Sequence, residues 1–292
     1  MTVKTKKKTP LFAIVTLTVL VIYMVSLVIP MLWGIYTSLL SNMEYGMIKN
    51  PSITLQTYID AFEVFSVHVA DADGSTRDVF YEEMMLNSVI YSLGCALSQT
   101  SVLCITAYST SRFNFKFDKV IYTIVIITMI LPIVGSLPSE IAMADFFKLR
   151  NKIWGMFIMK AYFLGMYYLV FHAMFKGIPK DFDEAAYIDG AGNFAIFFKI
   201  IFPISIGTFV TIALINFINF WNDYTTPLIY MPNIPTVAYG LYGFIQESTE
   251  GNKVGTPIKL AACMLVFIPN FVIFLVFRNK LIGNISMGGL KE

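Results

Sequence analysis

A chain of 292 residues in which 57% are hydrophobic and only 14% charged, with a strongly positive mean hydropathy, does not have the balance of a soluble globular domain. It reads as an integral membrane protein. The net charge of +2 is too small to point to nucleic acid as a partner.

A membrane-spanning helix needs about 20 mostly apolar residues, and six stretches qualify, near residues 11–37, 84–108, 120–138, 153–175, 204–230 and 257–278. The first follows Lys4, Lys6, Lys7 and Lys8, as a signal peptide would. Its apolar run is too long for a typical signal core, and no small-x-small cleavage site follows, which favours a retained first helix. The 41–83 loop after it is acidic, with Glu44, Asp60, Glu63, Asp71, Asp73, Asp78, Glu82 and Glu83. The second span carries a narrow polar stripe of Ser88, Ser92, Cys95, Gln99 and Thr106. Basic residues crowd the alternate connections: Arg112, Lys116 and Lys119 after the second span, Lys176, Lys180 and Lys199 after the fourth, Arg278, Lys280 and Lys291 after the sixth. Together with the amino-terminal lysines they place both ends and the 176–203 loop in the cytoplasm and the 41–83 loop outside. The expected organisation is a cytoplasmic segment 1–10, a six-span domain 11–280 and a cytoplasmic tail 281–292. Cys95, Cys104 and Cys263 fall inside apolar runs and imply no disulfide framework. His68 and His172 are isolated, so no metal site is expected.

The 176–203 loop contains "KDFDEAAYIDG". Pro179 blocks continuation of the fourth span, Asp181 suits an N-cap, and Glu184 stands three residues later at capping-box spacing. Gly190 is placed to end the helix in a left-handed conformation. The spacing thus predicts a short helix over 181–190, partly apolar through Phe182, Ala185, Ala186 and Ile188, with small alanines that let another backbone come close. Such a helix must bury its apolar surface, either on the ends of its own chain's helices or on another protein. On the fifth span, Ser205, Thr208, Thr211, Asn216, Asn219, Asn222 and Asp223 fall within an arc of roughly 140°. Such a face points into a helix bundle, as packing contacts or as a pathway.

The run Glu184, Ala185, Ala186, Asp189, Gly190, Ala191, continuing to Ile200, Phe202 and Pro203, resembles the EAA signature of the membrane subunits of bacterial ATP-binding-cassette (ABC) importers. "PMLWGIYTSL", "LNSVIYS" and "ISMGGLKE" resemble the first-helix end, second-helix start and carboxyl-terminal tail of the maltose-type, sugar-importing branch. Two departures are small: Phe202 where Leu is usual, and Glu292 in place of a terminal Gly. The resemblance implies an all-α type I permease fold in the bacterial cytoplasmic membrane, with 181–190 as a coupling helix that carries Glu184, Ala185, Ala186, Asp189 and Gly190 into a groove on an ATPase subunit. It implies a second, homologous permease subunit, two ATPase subunits that hold ATP and magnesium, an extracytoplasmic substrate-binding protein and a sugar as substrate. This chain is expected to bind no cofactor and hydrolyse nothing, since it contains no G-x-x-x-x-G-K-[ST] loop. For a sugar, Asn216, Asn219, Asn222, Asp223 and Gln99 are the candidate path residues, because amides and carboxylates hold hydroxyls, with Trp221 and Tyr224 available to stack.

Other functions fit less well. A secondary transporter would show inverted repeats and ionisable residues within its spans, whereas only Asp223 stands near a span end. A membrane enzyme would need a nucleophile or metal constellation of the right spacing. An ABC importer of a non-sugar solute is the nearer alternative.

Overall fold

The uncharged apolar run after Pro10 folds into the 28-residue helix α1, Leu11–Ser38. The computed structural model describes residues 11–41, 45, 52–70, 74–113, 115–131, 135–250 and 254–285. The four amino-terminal lysines, Glu44, Asp71, Asp73 and the "ISMGGLKE" tail beyond Ile285 lie outside these. From Leu11 to Trp33 the side chains of α1 are exposed. That much bare apolar surface is unfavourable in water and matches the hydrocarbon of a bilayer.

The connection expected to be an acidic loop has structure of its own. Leu40 pairs with Ile53 in an isolated antiparallel bridge, and α2 covers Gln56–Val64. Thr57 donates its hydroxyl hydrogen bond to the Leu40 carbonyl at 2.8 Å, and the Ser38 and Tyr58 hydroxyls meet at 2.8 Å. Strands β1, Ser66–Ala70, and β2, Thr76–Phe80, then form an antiparallel hairpin with Val67 opposite Val79. Their alternation buries Val67, Val69 and Val79 and leaves His68 and Asp78 outside, paired with each other.

The remaining helices are α3 (Tyr81–Arg112), α4 (Asp118–Ile130), α5 (Leu137–Phe146), α6 (Ile153–Met159), α7 (Met166–Gly177), α8 (Asp181–Ile188), α9 (Asn193–Ile196), α10 (Phe202–Trp221), α11 (Thr225–Tyr230), α12 (Val237–Glu250) and α13 (Thr256–Ile285). A π-helical turn, Phe197–Ile201, joins α9 to α10. Pro203 explains it. A proline inside a helix has no N–H and crowds the carbonyl four residues back, and a wider turn there relieves both problems. Phe202 N–H accordingly bonds the Phe197 carbonyl, five residues back.

Among the described residues four helices are long and apolar enough to cross a membrane: Leu11–Ser38, Tyr81–Arg112, Asn193–Trp221 and Thr256–Arg278. Three of the six expected spans differ from single helices. The 120–138 stretch holds α4, which stops at Ile130, and the start of α5. Leu131, ahead of Pro132, is extended (φ −82°, ψ 119°), as a residue before proline prefers. The 153–175 stretch splits into α6 and α7 around Lys160 and Gly165, whose φ of 119° suits only glycine. The 204–230 stretch ends its helix at Trp221 and resumes at Thr225.

The chain divides into two compact units: the described parts of Met1–Val64 with Ile245–Leu265, and those of Phe65–Phe244 with Val266–Glu292. In the first, Lys259 Nζ donates to the Ser248 carbonyl at 3.3 Å. In the second, α3 is the central helix, packed on α6, α7 and α10. Gly94 lets α6 come so close that a Cβ there would fall 2.1 Å from the Phe157 ring. One end of this unit is a core of Leu103, Ala107 and Tyr108 from α3, Tyr168, Phe171 and Phe175 from α7, and Ile196, Ile201 and Ile212. Ala186 of α8 is seated in the same core.

Candidate functional site

Helix α7 ends at Gly177 because Ile178, ahead of Pro179, is extended (φ −78°, ψ 128°). Helix α8 follows at once, and its entry differs from the expected capping box. Lys180 occupies the cap position in a helical conformation, and no side chain bonds to the free N–H groups. Instead the Asp183 and Glu184 N–H groups bond the Lys180 carbonyl, at 2.9 and 3.1 Å. The turn thus starts one residue early and takes Asp181 inside it. Asp181, Asp183 and Glu184 still lie in the first turn, where the positive end of the helix dipole favours carboxylates.

The far end of α8 agrees with expectation. Gly190 has φ +81°, its N–H bonds the Tyr187 carbonyl at 3.0 Å, and the Ala191 N–H bonds the Ala186 carbonyl at 2.9 Å. These two bonds define a Schellman motif. Helix α8 buries Ala186 and exposes Glu184 and Ala185, and Asp189 and Gly190 in the turn after it are exposed as well. Ile188 is 86% exposed and Phe194, just beyond, 83%. An open groove of about 580 Å³ runs along the helix, lined by Pro179, Phe182, Ala185, Asp189 and Ile200 among others. The five residues expected to act in coupling thus lie together on one short helix and the turn that ends it, beside large uncovered apolar side chains.

One residue in this region escaped sequence reasoning, which counted Arg112 only as a basic charge. Its side chain is 3% exposed and its Nη2 lies 2.9 Å from Asp183 Oδ2. The guanidinium also donates to the carbonyls of Ile178 (2.7 Å), Pro179 (3.2 Å) and Phe175 (3.4 Å). Nothing local in the sequence signals this pairing.

The polar residues expected on a path are not one continuous face. Asn216 is buried, and its Nδ2 donates to Thr100 Oγ1 at 3.1 Å, beside buried Gln99. Asn219 is exposed on α10. Asn222 follows the end of α10, and its amide donates to the Ile218 carbonyl at 2.8 Å. Asp223 accepts from Tyr91 Oη at 3.3 Å and from the Thr226 N–H at 3.0 Å, which caps α11. Trp221 is core rather than a stacking platform: it is 1% exposed and its Nε1 donates to the Val266 carbonyl at 3.3 Å. Tyr224 remains accessible and stacks on Tyr242, with ring centroids 4.8 Å apart at 17°. Lys160, overlooked as an ionisable residue within an expected span, lies at the α6–α7 break.

Residues 102–281 match the family described as binding-protein-dependent transport system inner membrane component. The chain is 24% identical over 280 residues to the diacetylchitobiose uptake system permease protein of Streptomyces coelicolor, covering 95% of this chain and 88% of that protein. It is 28% identical over 210 residues to the melibiose/raffinose/stachyose import permease protein of Bacillus subtilis, covering 70% and 75%. A solved structure, of a bacterial ABC transporter involved in the import of the acidic polysaccharide alginate, superposes with a TM-score of 0.73 over 94% of this chain and 99% of that one, at 20% identity, and shows the fold. The family's match covers α4 to α12 whole, α8 and its Schellman turn included, and on that ground the chain belongs to the binding-protein-dependent transport system inner membrane components, membrane subunits rather than enzymes.

Proposed function

We propose that this chain is one of two homologous permease subunits of an ATP-driven importer in the bacterial cytoplasmic membrane, and that its substrate is a carbohydrate, best an oligosaccharide. The observation that carries the reading is α8, a short acidic helix with uncovered Ile188, Phe182 and Ala185, in a chain similar to oligosaccharide permeases along most of its length. Glu184, Ala185, Ala186, Asp189 and Gly190 dock in a groove of an ATPase subunit, and two such ATPases supply ATP and magnesium. This chain binds no cofactor. An extracytoplasmic binding protein delivers the sugar. The chain crosses the membrane six times with both ends cytoplasmic. Its third and fourth crossings are broken helices, which are tolerated at membrane depth where the irregular backbone faces protein or a wet cavity. Asn219, Asn222 and Asp223, with Tyr224 stacked nearby, offer the amide, carboxylate and aromatic groups that suit sugar hydroxyls and ring faces, while Asn216 and Gln99 support them from the α3–α10 contact.

The test is ATP hydrolysis by the reconstituted complex, binding protein included. Diacetylchitobiose, raffinose or a related oligosaccharide is expected to stimulate it. Stimulation by an amino acid or inorganic phosphate, with no response to any sugar, would overturn the substrate class.

A further inference from the structure

Arg112 is buried at the end of α3, where three carbonyls at the carboxyl end of α7 and the Asp183 carboxylate of α8 converge on it. The Phe175 carbonyl, which also accepts the Ile178 N–H at 3.3 Å, and the Ile178 and Pro179 carbonyls just past Gly177 stand at the carboxyl end of α7, where the helix dipole favours a cation. The planar guanidinium can bond several oxygens at fixed angles, which a lysine ammonium cannot. Satisfaction is incomplete, however: Arg112 Nε and Asp183 Oδ1 are both buried without a hydrogen-bond partner. A buried ion pair with unsatisfied atoms is a poor source of stability, and an apolar pair of similar volume often does as well or better. Its value here is geometric.

From Arg112, α3 runs back along a ladder of polar ties. Thr110 meets Tyr168 Oη at 2.6 Å, Thr100 accepts from Asn216 at 3.1 Å, and Tyr91 donates to Asp223 at 3.3 Å. At the opposite end, Ser88 accepts from the Val237 N–H at 2.7 Å and Asn87 donates to the Pro235 carbonyl at 3.1 Å. Helix α3 is thus fixed at one end to α8 and along its length to α7, α10 and the segment before α12.

We propose that Arg112 is the positioning residue of coupling: by locking Asp183 onto the end of α7 it makes α8 and α3 one body, so that a displacement of α8 reaches the polar contacts of α10. This rests on α8 being the helix that an ATPase engages, and the test separates the two claims.

The assembled importer, with its ATPases and partner permease, is studied in lipid nanodiscs with native cysteines replaced and a cysteine for Glu82, exposed in the first turn of α3. The probe is ATP with vanadate, and the readout is the change in thiol-labelling rate at position 82 between nucleotide-free and trapped complexes. The Arg112→Met/Asp183→Leu double variant keeps the volume and removes both charges. It is expected to retain ATPase binding and thermal stability while the change in labelling falls at least about fivefold, within the range of ordinary coupling effects. Asp183→Asn, nearly isosteric, is expected to show the same loss in smaller measure, and Arg112→Lys to recover little.

A double variant that responds as the parent does would overturn the proposal, as would a parent with no response. So would loss of assembly in both the double variant and Asp183→Asn, since the pair would then be a folding element. The underlying reading is tested independently by cross-linking Phe182→Cys to the ATPase. Failure of that cross-link removes α8 as the docking helix, whereas a normal cross-link with an unchanged response removes only the role of Arg112.

Discussion

Asn216 and Asn219, one residue type on one helix, meet different surroundings. Asn216 is 3% exposed and committed to Thr100, across a sequence separation of 116. Asn219, three residues on, is exposed. Asn216→Leu is expected to destabilise the subunit by roughly 1 kcal/mol, the ordinary worth of a hydrogen bond between helices in a membrane, seen as a lower melting temperature in detergent. Asn219→Leu is expected to leave the melting temperature unchanged and to lower sugar uptake. Reversed results would make Asn216 the path residue and Asn219 a bystander. The 3.6-residue period put both on one arc. Which of them meets a partner depends on the position of α3, and no window of sequence around either residue contains α3.

Helix α8 was more legible, and unevenly so. Its carboxyl end follows from local chemistry, because Gly190 adopts φ +81° at no steric cost. Its amino end departs from the capping-box spacing, because Lys180 takes the helical conformation directly after Pro179 and leaves Asp181 no cap position to fill. The end that local chemistry settles can be tested alone. A Cβ at Gly190 would meet nothing within 4 Å, so Gly190→Val costs only the left-handed conformation, about 1 to 2 kcal/mol for a side chain with a Cβ. The expected result is a normal level of inserted subunit and weaker capture of the ATPase in a pull-down. Equal capture with less inserted subunit would mark the turn as a folding element instead. The breaks at Leu131 and at 160–165 had partial signals, in Pro132 and in Lys160 with Gly165. Hydropathy averaged over a span does not register them, since two short apolar helices average the same as one long one.

At the scale of the molecule, the uneven distribution of lysine and arginine predicts the orientation. Lys180 and Glu63 are exposed, so cysteines at the two positions are expected to label oppositely with an impermeant thiol reagent on intact cells, Glu63→Cys from outside and Lys180→Cys only after permeabilisation. Labelling of Lys180→Cys from outside would invert the topology and remove α8 from reach of any cytoplasmic ATPase. Hydropathy, backbone preference and a short motif are local properties that survive in any context, and they suffice for the membrane class, the positions of α1, α3 and α13, the start of α10, the α8 segment and its glycine turn. Packing was needed to settle that a hairpin forms within the acidic connection, that three apolar stretches break, that Trp221 is core, and that Arg112 holds Asp183. Each of those outcomes depends on a partner far away in the chain or on a backbone geometry that competing contacts select, and such competition is resolved only when the helices are packed.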